Sequence, residues 1–154
     1  MTAKKIVEIA KKEVGYKENK GNDTKYGKWY GMNNVPWCME FVQWVVNQAG
    51  EGKKITKTAG CEFFEAWAKR NDLIVATNLV QEGDIVLFDF HKAGKSVHVG
   101  IALGYNKNTH LIDTVEGNTA GDNTGSQANG DGVYYKHRAV STVRYVVRPK
   151  WSTK

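Results

Sequence analysis

Cysteine and proline are scarce: two of each occur in 154 residues. Two thiols cannot build a disulfide-stapled scaffold or a four-thiolate zinc site. Two prolines exclude a proline-rich linker. Long apolar runs are missing as well. No stretch approaches the ~20 apolar residues that a membrane helix needs, so no membrane insertion is expected. The four histidines show no metal spacing, with no HExxH and no paired Cys-x-x-Cys. Acidic residues are outnumbered: 22 Lys and Arg face 16 Asp and Glu, for a net charge of +6.

What is present is a soluble globular composition, 41% hydrophobic and 25% charged. The length fits one domain, large enough to bury roughly two-thirds of its unfolded surface. No repeat or internal boundary divides it, so residues 1–154 read as a single domain and as a monomer. The opening residues, Met1 to Val14, carry Lys4, Lys5, Lys11 and Lys12, with Ile6, Ile9, Ala10 and Val14 at helical spacing. This is an amphipathic domain helix rather than a secretory leader.

The spacing predicts that first helix over Ala3 to Val14, ending at Gly15. Tyr16 to Pro36 is rich in Gly, Asn and Lys and reads as irregular, with one helical turn near Thr24 to Tyr30. A strongly amphipathic helix follows between Pro36 and Gly50, carrying Phe41, Val42, Val45, Val46 and Ala49 behind Cys38. A third helix is expected over Ala59 to Asn71, with Phe63, Phe64 and Trp67 on its buried side. Strands are expected at Ile85 to Phe90, Val97 to Leu103, His110 to Glu116, Val133 to His137 and Val143 to Arg148. Gly117 to Gly132 reads as a long exposed loop. Helices first and strands after predict an α+β domain, with an antiparallel sheet of five to six strands and helices on one side.

Cys38 stands at the first turn of the second long helix. A helix N-terminus carries about half a positive charge and several unpaired N–H groups, which favour a thiolate and can hold an oxyanion. His98 is the natural partner. On its strand it shares a face with Gly100 and Ala102, small residues that leave room for the Cys38 helix to approach. His91, His110 and His137 lack such a face. A base needs a third group to fix its ring. Glu116 and Asn118, on or just past the next strand, could each reach the far ring nitrogen. Cys61 reads as a buried structural thiol.

Four segments resemble the CHAP family, the cysteine, histidine-dependent amidohydrolases/peptidases that cut bacterial peptidoglycan. They are Pro36-Trp37-Cys38-Met39-Glu40-Phe41-Val42, Gly83-Asp84-Ile85-Val86-Leu87-Phe88, His98-Val99-Gly100-Ile101 and Glu116-Gly117-Asn118-Thr119. The Asn22 to Gly31 stretch also resembles the segment before the nucleophile. The resemblance implies a papain-like fold, Cys38 as nucleophile, His98 as general base, Glu116 orienting His98, and Asn118 as a further polar helper. Tyr26, Tyr30 and Asn34 are candidates for a second oxyanion donor. Tyr26, Trp29, Tyr30 and Trp37 are candidates for the substrate groove.

The implied function is peptidoglycan hydrolysis of the phage-endolysin type, endopeptidase ahead of N-acetylmuramoyl-L-alanine amidase, with a non-catalytic wall-binding module as the contrasting reading. Some relatives bind calcium before the nucleophile. Here Asn19 to Tyr26 offers Asp23 as its one carboxylate, so no metal or other cofactor is expected. The Gly-rich loop around Asp122 and Asp131 is the other place an ion could bind. The basic stretch Lys136, Arg138, Arg144, Arg148, Lys150 and Lys154 suggests attraction to anionic wall polymers rather than nucleic acid. No separate wall-binding domain is expected. Without a leader, the protein would be made in the host bacterial cytoplasm, released by holin or lysis, and act at the cell wall.

Overall fold

A computed structural model describes residues 2–121 and 125–152. Its N-terminal half is helical: α1 (Thr2–Lys12), α2 (Lys25–Tyr30), α3 (Cys38–Gln48) and α4 (Cys61–Arg70). Strands β1 (Ile74–Val75), β2 (Ile85–Phe88), β3 (His98–Asn106), β4 (Leu111–Thr119), β5 (Gly132–Ala139) and β6 (Val143–Val147) follow. They form one six-stranded antiparallel sheet in the order β1-β6-β2-β3-β4-β5. The fold class is therefore the α+β arrangement that the pattern predicts. Among the described residues no helix is long and apolar enough to cross a membrane.

Alternation along the strands decides what each face does. Ile85, Leu87, Val99, Ile101, Val115 and Val147 turn to the helices and close the main core with Ile6, Phe41, Val42, Val45 and Phe64. Val86, Phe88, Ala102, Ile112 and Val146 build a smaller cluster on the opposite face. α3 is the central helix, with Phe41, Val42, Val45 and Val46 wholly buried. Its first turn is pinned by aromatics. The Tyr26 ring stacks on Trp37 at 5.5 Å and meets Phe41 and Trp44 edge-on at 5.2 and 5.3 Å. Such pairs add about 0.5–1.5 kcal/mol each beyond their buried area.

Several expectations need correction. Phe63 does not face the core: it is 74% exposed, while Phe64 beside it is wholly buried and Trp67 packs at the core's edge. One helical step of about 100° separates the two phenylalanines, and only Phe64 falls on the inward stripe. The two-residue strand β1 was too short to register as a pattern. β4 runs three residues beyond Glu116, so Gly117, Asn118 and Thr119 are buried strand rather than exposed loop. The following segment folds back to satisfy them. Thr119 Oγ1 donates to the Gln127 carbonyl at 2.8 Å, and the Gly130 amide donates to the Asn118 carbonyl at 2.8 Å. A Cβ on Gly130 would lie 2.0 Å from the Thr119 backbone, so only glycine permits that return. Asp122 lies outside the described residues; Asp131 accepts from the Tyr134 hydroxyl at 2.7 Å.

Candidate active site

α3 begins at Cys38 itself, with Trp37 in the N-cap position and no side chain capping the free amides. The turn can lie close to the sheet because β4 carries Gly117 beneath it. A Cβ there would stand 2.7 Å from the Trp37 ring and 2.7 Å from Phe41 Cβ. The small residue that admits the helix is thus Gly117, not Gly100. Gly100 has a different use: a Cβ there would meet Glu116 Cγ at 2.6 Å. Its missing side chain is the space through which Glu116 reaches along the sheet to His98.

His98 is wholly buried at the start of β3. Its Nε2 lies 2.8 Å from Glu116 Oε1. The ring sits against Phe88 and Phe90, with centroids 5.9 and 5.7 Å away. With Nε2 taken by Glu116, Nδ1 is buried and has no hydrogen-bond partner. This leaves Nδ1 as the ring nitrogen available to Cys38, and each of the two groups shifts the other's titration.

Glu116 is wholly buried too, and the sequence did not reveal what holds it. Arg138 of β5 does so. Its Nη2 donates to Oε1 at 2.6 Å and its Nε to Oε2 at 2.9 Å, the two-pronged geometry that matches a carboxylate. Thr114 Oγ1 donates to Oε2 at 2.5 Å. Arg138 lies over the Phe90 ring at 4.8 Å and bonds Gln127 and Thr119 with its remaining donors. A chain of hydrogen bonds runs His98, Glu116, Arg138, with apolar rings beside it.

The charges follow from this packing. Burial raises the Glu116 pKa, but His98 and Arg138 outweigh it and hold the carboxyl at about 2. Burial lowers the His98 pKa, but Cys38 and Glu116 outweigh it and raise the imidazole to about 9. Cys38 is held well below an ordinary thiol, first by a hydrogen bond from Cys61 and, against burial, by His98 and the Met39 amide. Both shifts favour a thiolate beside an imidazolium.

Cys61 was expected to be structural, yet its sulfur lies 3.9 Å from the Cys38 sulfur. Glu40, two residues after the nucleophile, was not singled out either. Both its carboxylate oxygens are buried without a hydrogen-bond partner. Burial and the neighbouring Cys38 push its pKa up to about 7. A buried acidic residue in an otherwise apolar helix stripe was the available signal for it.

The other expected residues divide. Asn118 is buried with a left-handed backbone (φ 58°) at the β4–β5 irregularity. Its Nδ2 donates to the Ala128 carbonyl at 3.4 Å, so its amide faces the return loop rather than the His98 ring. Tyr26 and Trp37 have no exposed surface and cannot line a groove. The Tyr26 hydroxyl donates to Glu13 at 2.7 Å and Trp37 Nε1 to Glu18 at 2.9 Å, so Tyr26 is not free to hold an oxyanion. Asn34 Nδ2 is committed to the Gly21 carbonyl at 3.1 Å. Trp29 is 41% exposed and lines a cleft of about 580 Å³ with Gln43, Asn47, Lys53 and Lys57; neither Cys38 nor His98 lines it. Tyr30 is partly buried under the Lys57 ammonium, 5.1 Å from its ring.

The competing histidines stand apart from Cys38. His91 and His110 are exposed, and exposed His137 pairs with Asp113. For calcium, the Asn19 to Tyr26 stretch does not fit: its one carboxylate, Asp23, accepts from Asn33 Nδ2 at 2.6 Å and pairs with Lys28 at 3.4 Å. Among the described residues no three His, Cys, Asp or Glu side chains are grouped to hold a metal. The basic stretch is also largely committed. Arg138 serves Glu116, buried Lys136 donates to the Ala120 carbonyl, Arg144 pairs with Glu65 and Arg148 with Asp84.

A cysteine at a helix start beside a sheet-borne histidine, with a third group orienting the ring, is the arrangement of the papain-like thiol hydrolases. A family model described as the CHAP domain matches residues 29–118. The chain belongs to the CHAP family, cysteine- and histidine-dependent amidohydrolases/peptidases. Among solved structures, one titled "The crystal structure of Ly7917" superposes with a TM-score of 0.57 at 13% identity. The match covers 97% of this chain and 62% of that one, a likeness of fold. No curated protein matches the chain.

Proposed function

We propose that the protein hydrolyses an amide bond of bacterial peptidoglycan, as an endopeptidase of the stem peptide or cross-bridge. The observation that carries this reading is the wholly buried His98–Glu116 contact at 2.8 Å beside a thiolate-favouring Cys38. Burying a carboxylate and an imidazolium together is costly, and a module that only binds wall has no use for that cost.

The Cys38 thiolate attacks the scissile carbonyl. The negative oxygen that develops is met by unpaired amides of the first α3 turn and by the positive end of the helix. The His98 imidazolium, held by Glu116, gives its proton to the leaving amine as the C–N bond breaks. The neutral imidazole then takes a proton from water, which attacks the thioester and frees Cys38. Arg138 keeps Glu116 ionised and oriented throughout.

The finer substrate assignment rests on the CHAP resemblance. The same chemistry serves an N-acetylmuramoyl-L-alanine amidase. Adsorption to anionic wall polymers would rest on exposed lysines, since Arg138, Arg144 and Arg148 are engaged internally. Digestion of purified peptidoglycan followed by mass spectrometry tests the reading. New amino-acid amines at a stem or bridge are expected. A new muramic-acid lactyl terminus would replace endopeptidase by amidase. Undiminished hydrolysis by folded Cys38→Ala protein would end the thiol mechanism.

A further inference from the structure

Two thiols, 23 positions apart in sequence, meet inside the protein. Cys38 opens α3 and Cys61 opens α4, and their sulfurs are 3.9 Å apart and unbridged. α4 is fastened where it stands. Its Glu65 accepts from Ser96 Oγ at 2.6 Å, just before β3, and from Arg144 Nε at 2.7 Å, on β6. Cys61 is therefore held against the nucleophile by the same sheet that carries His98. Peptide hydrolysis gives this second thiol no bond to make or break.

We propose that Cys38 and Cys61 form a reversible disulfide when a hydroperoxide reaches the site, a covalent modification that caps the nucleophile and protects it from irreversible oxidation. In the first step the Cys38 thiolate attacks the peroxide O–O bond. Cys38 becomes a sulfenic acid, and hydroxide (or alkoxide) leaves and takes up a proton. In the second step the Cys61 sulfur attacks the Cys38 sulfur. The Cys38 S–O bond breaks, and the sulfenic oxygen departs as water with the Cys61 proton. The two sulfurs together lose two electrons and the peroxide gains them. The sulfurs must close from 3.9 Å to the bonded length of about 2.05 Å. Cys38 keeps 6% of its residue surface exposed. The hydrogen bond that Cys61 gives the thiolate aligns the pair beforehand.

The proposal depends on a nucleophilic Cys38 and not on which wall bond is cut, so its test uses no cell wall. The protein is treated with hydrogen peroxide, digested and mapped by mass spectrometry. A second portion is reduced with dithiothreitol, and the Cys38 that iodoacetamide can alkylate is measured. The expected product is a Cys38–Cys61 linked peptide pair lighter by two hydrogens. Recovery of alkylatable Cys38 should be at least about tenfold greater in the parent than in Cys61→Ala or Cys61→Ser, where Cys38 proceeds to sulfinic acid. The linked peptide is read in the parent protein, so the outcome does not depend on how either variant folds. Oxygen adducts on Cys38 with Cys61 still free in the parent would overturn the proposal. So would equal recovery in parent and variants.

Discussion

Arg138→Met removes the guanidinium but keeps much of the side chain's length. In the parent, three N–O contacts of 2.6–3.2 Å tie Arg138 to a carboxylate with no exposed surface. Breaking a buried ion pair by removing one partner costs about 3–5 kcal/mol. His98 remains to share the Glu116 charge, which places the expected loss near about 3 kcal/mol. In a domain of this size that corresponds to a fall in Tm of roughly 6–12 °C. The Glu116 pKa must rise from about 2 once one of its two cations is gone. The loss should therefore be smaller at low pH, where the variant's carboxyl can be protonated, than at pH 7. Urea unfolding across pH 3–8 reads both the size and the slope. The double variant Arg138→Met/Glu116→Gln should recover stability relative to the sum of the single costs, because no unpaired charge is left. It should not recover hydrolysis. A Tm within about 2 °C of the parent, or strictly additive single costs, would refute the reasoning.

Gly117→Ala should lower stability by about 1–3 kcal/mol and hydrolysis with it, because the added methyl forces Trp37 and the first α3 turn off the sheet; an unchanged melting curve would show that turn is not seated on Gly117. Glu40→Gln should leave stability unchanged near pH 4 and raise it by roughly 1–3 kcal/mol above pH 7. The sign follows because the folded-state pKa, about 7, lies above the ordinary carboxyl value, so stability is lost as pH rises through 7; a pH-independent difference between variant and parent would contradict it. Hydrolysis should fall off above pH 9, where the imidazolium raised to about 9 loses the proton it owes the leaving amine. A profile still climbing at pH 10 would remove His98 from that step. Chelator should leave hydrolysis intact, because Asp23 is engaged by Asn33 and Lys28.

Periodicity carried most of the fold into view. The apolar stripe behind Cys38 and the β-branched runs after Glu82 are strong signals, and the structure turns both into the elements expected. What stayed hidden depends on contacts between distant segments. Arg138 read as one more surface cation because nothing local marks a side chain that turns inward to a carboxylate 22 residues earlier. Cys61 read as inert because its significance is a distance, 3.9 Å, set by how two helices dock. Gly100 was given the wrong neighbour, and Gly117 none, for the same reason. A gap on a strand shows that something comes close, but not that Gly100 receives Glu116 and Gly117 receives Trp37. Tyr26 and Trp37 were misplaced because a Gly- and Asn-rich stretch suggests surface, whereas here it wraps a buried aromatic cluster.

The proposed mechanism starts from a Cys38 thiolate resting beside a protonated His98. The pH dependence of iodoacetamide alkylation, with the modified residue identified by peptide mapping, reads this directly. An ordinary thiol with a pKa near 8.5 reacts roughly three-hundredfold more slowly at pH 6 than at its plateau. Cys38 should be the labelled residue and should keep at pH 6 far more than that fraction of its plateau rate. A Cys38 rate that rises through pH 8.5 as a free thiol does would contradict it.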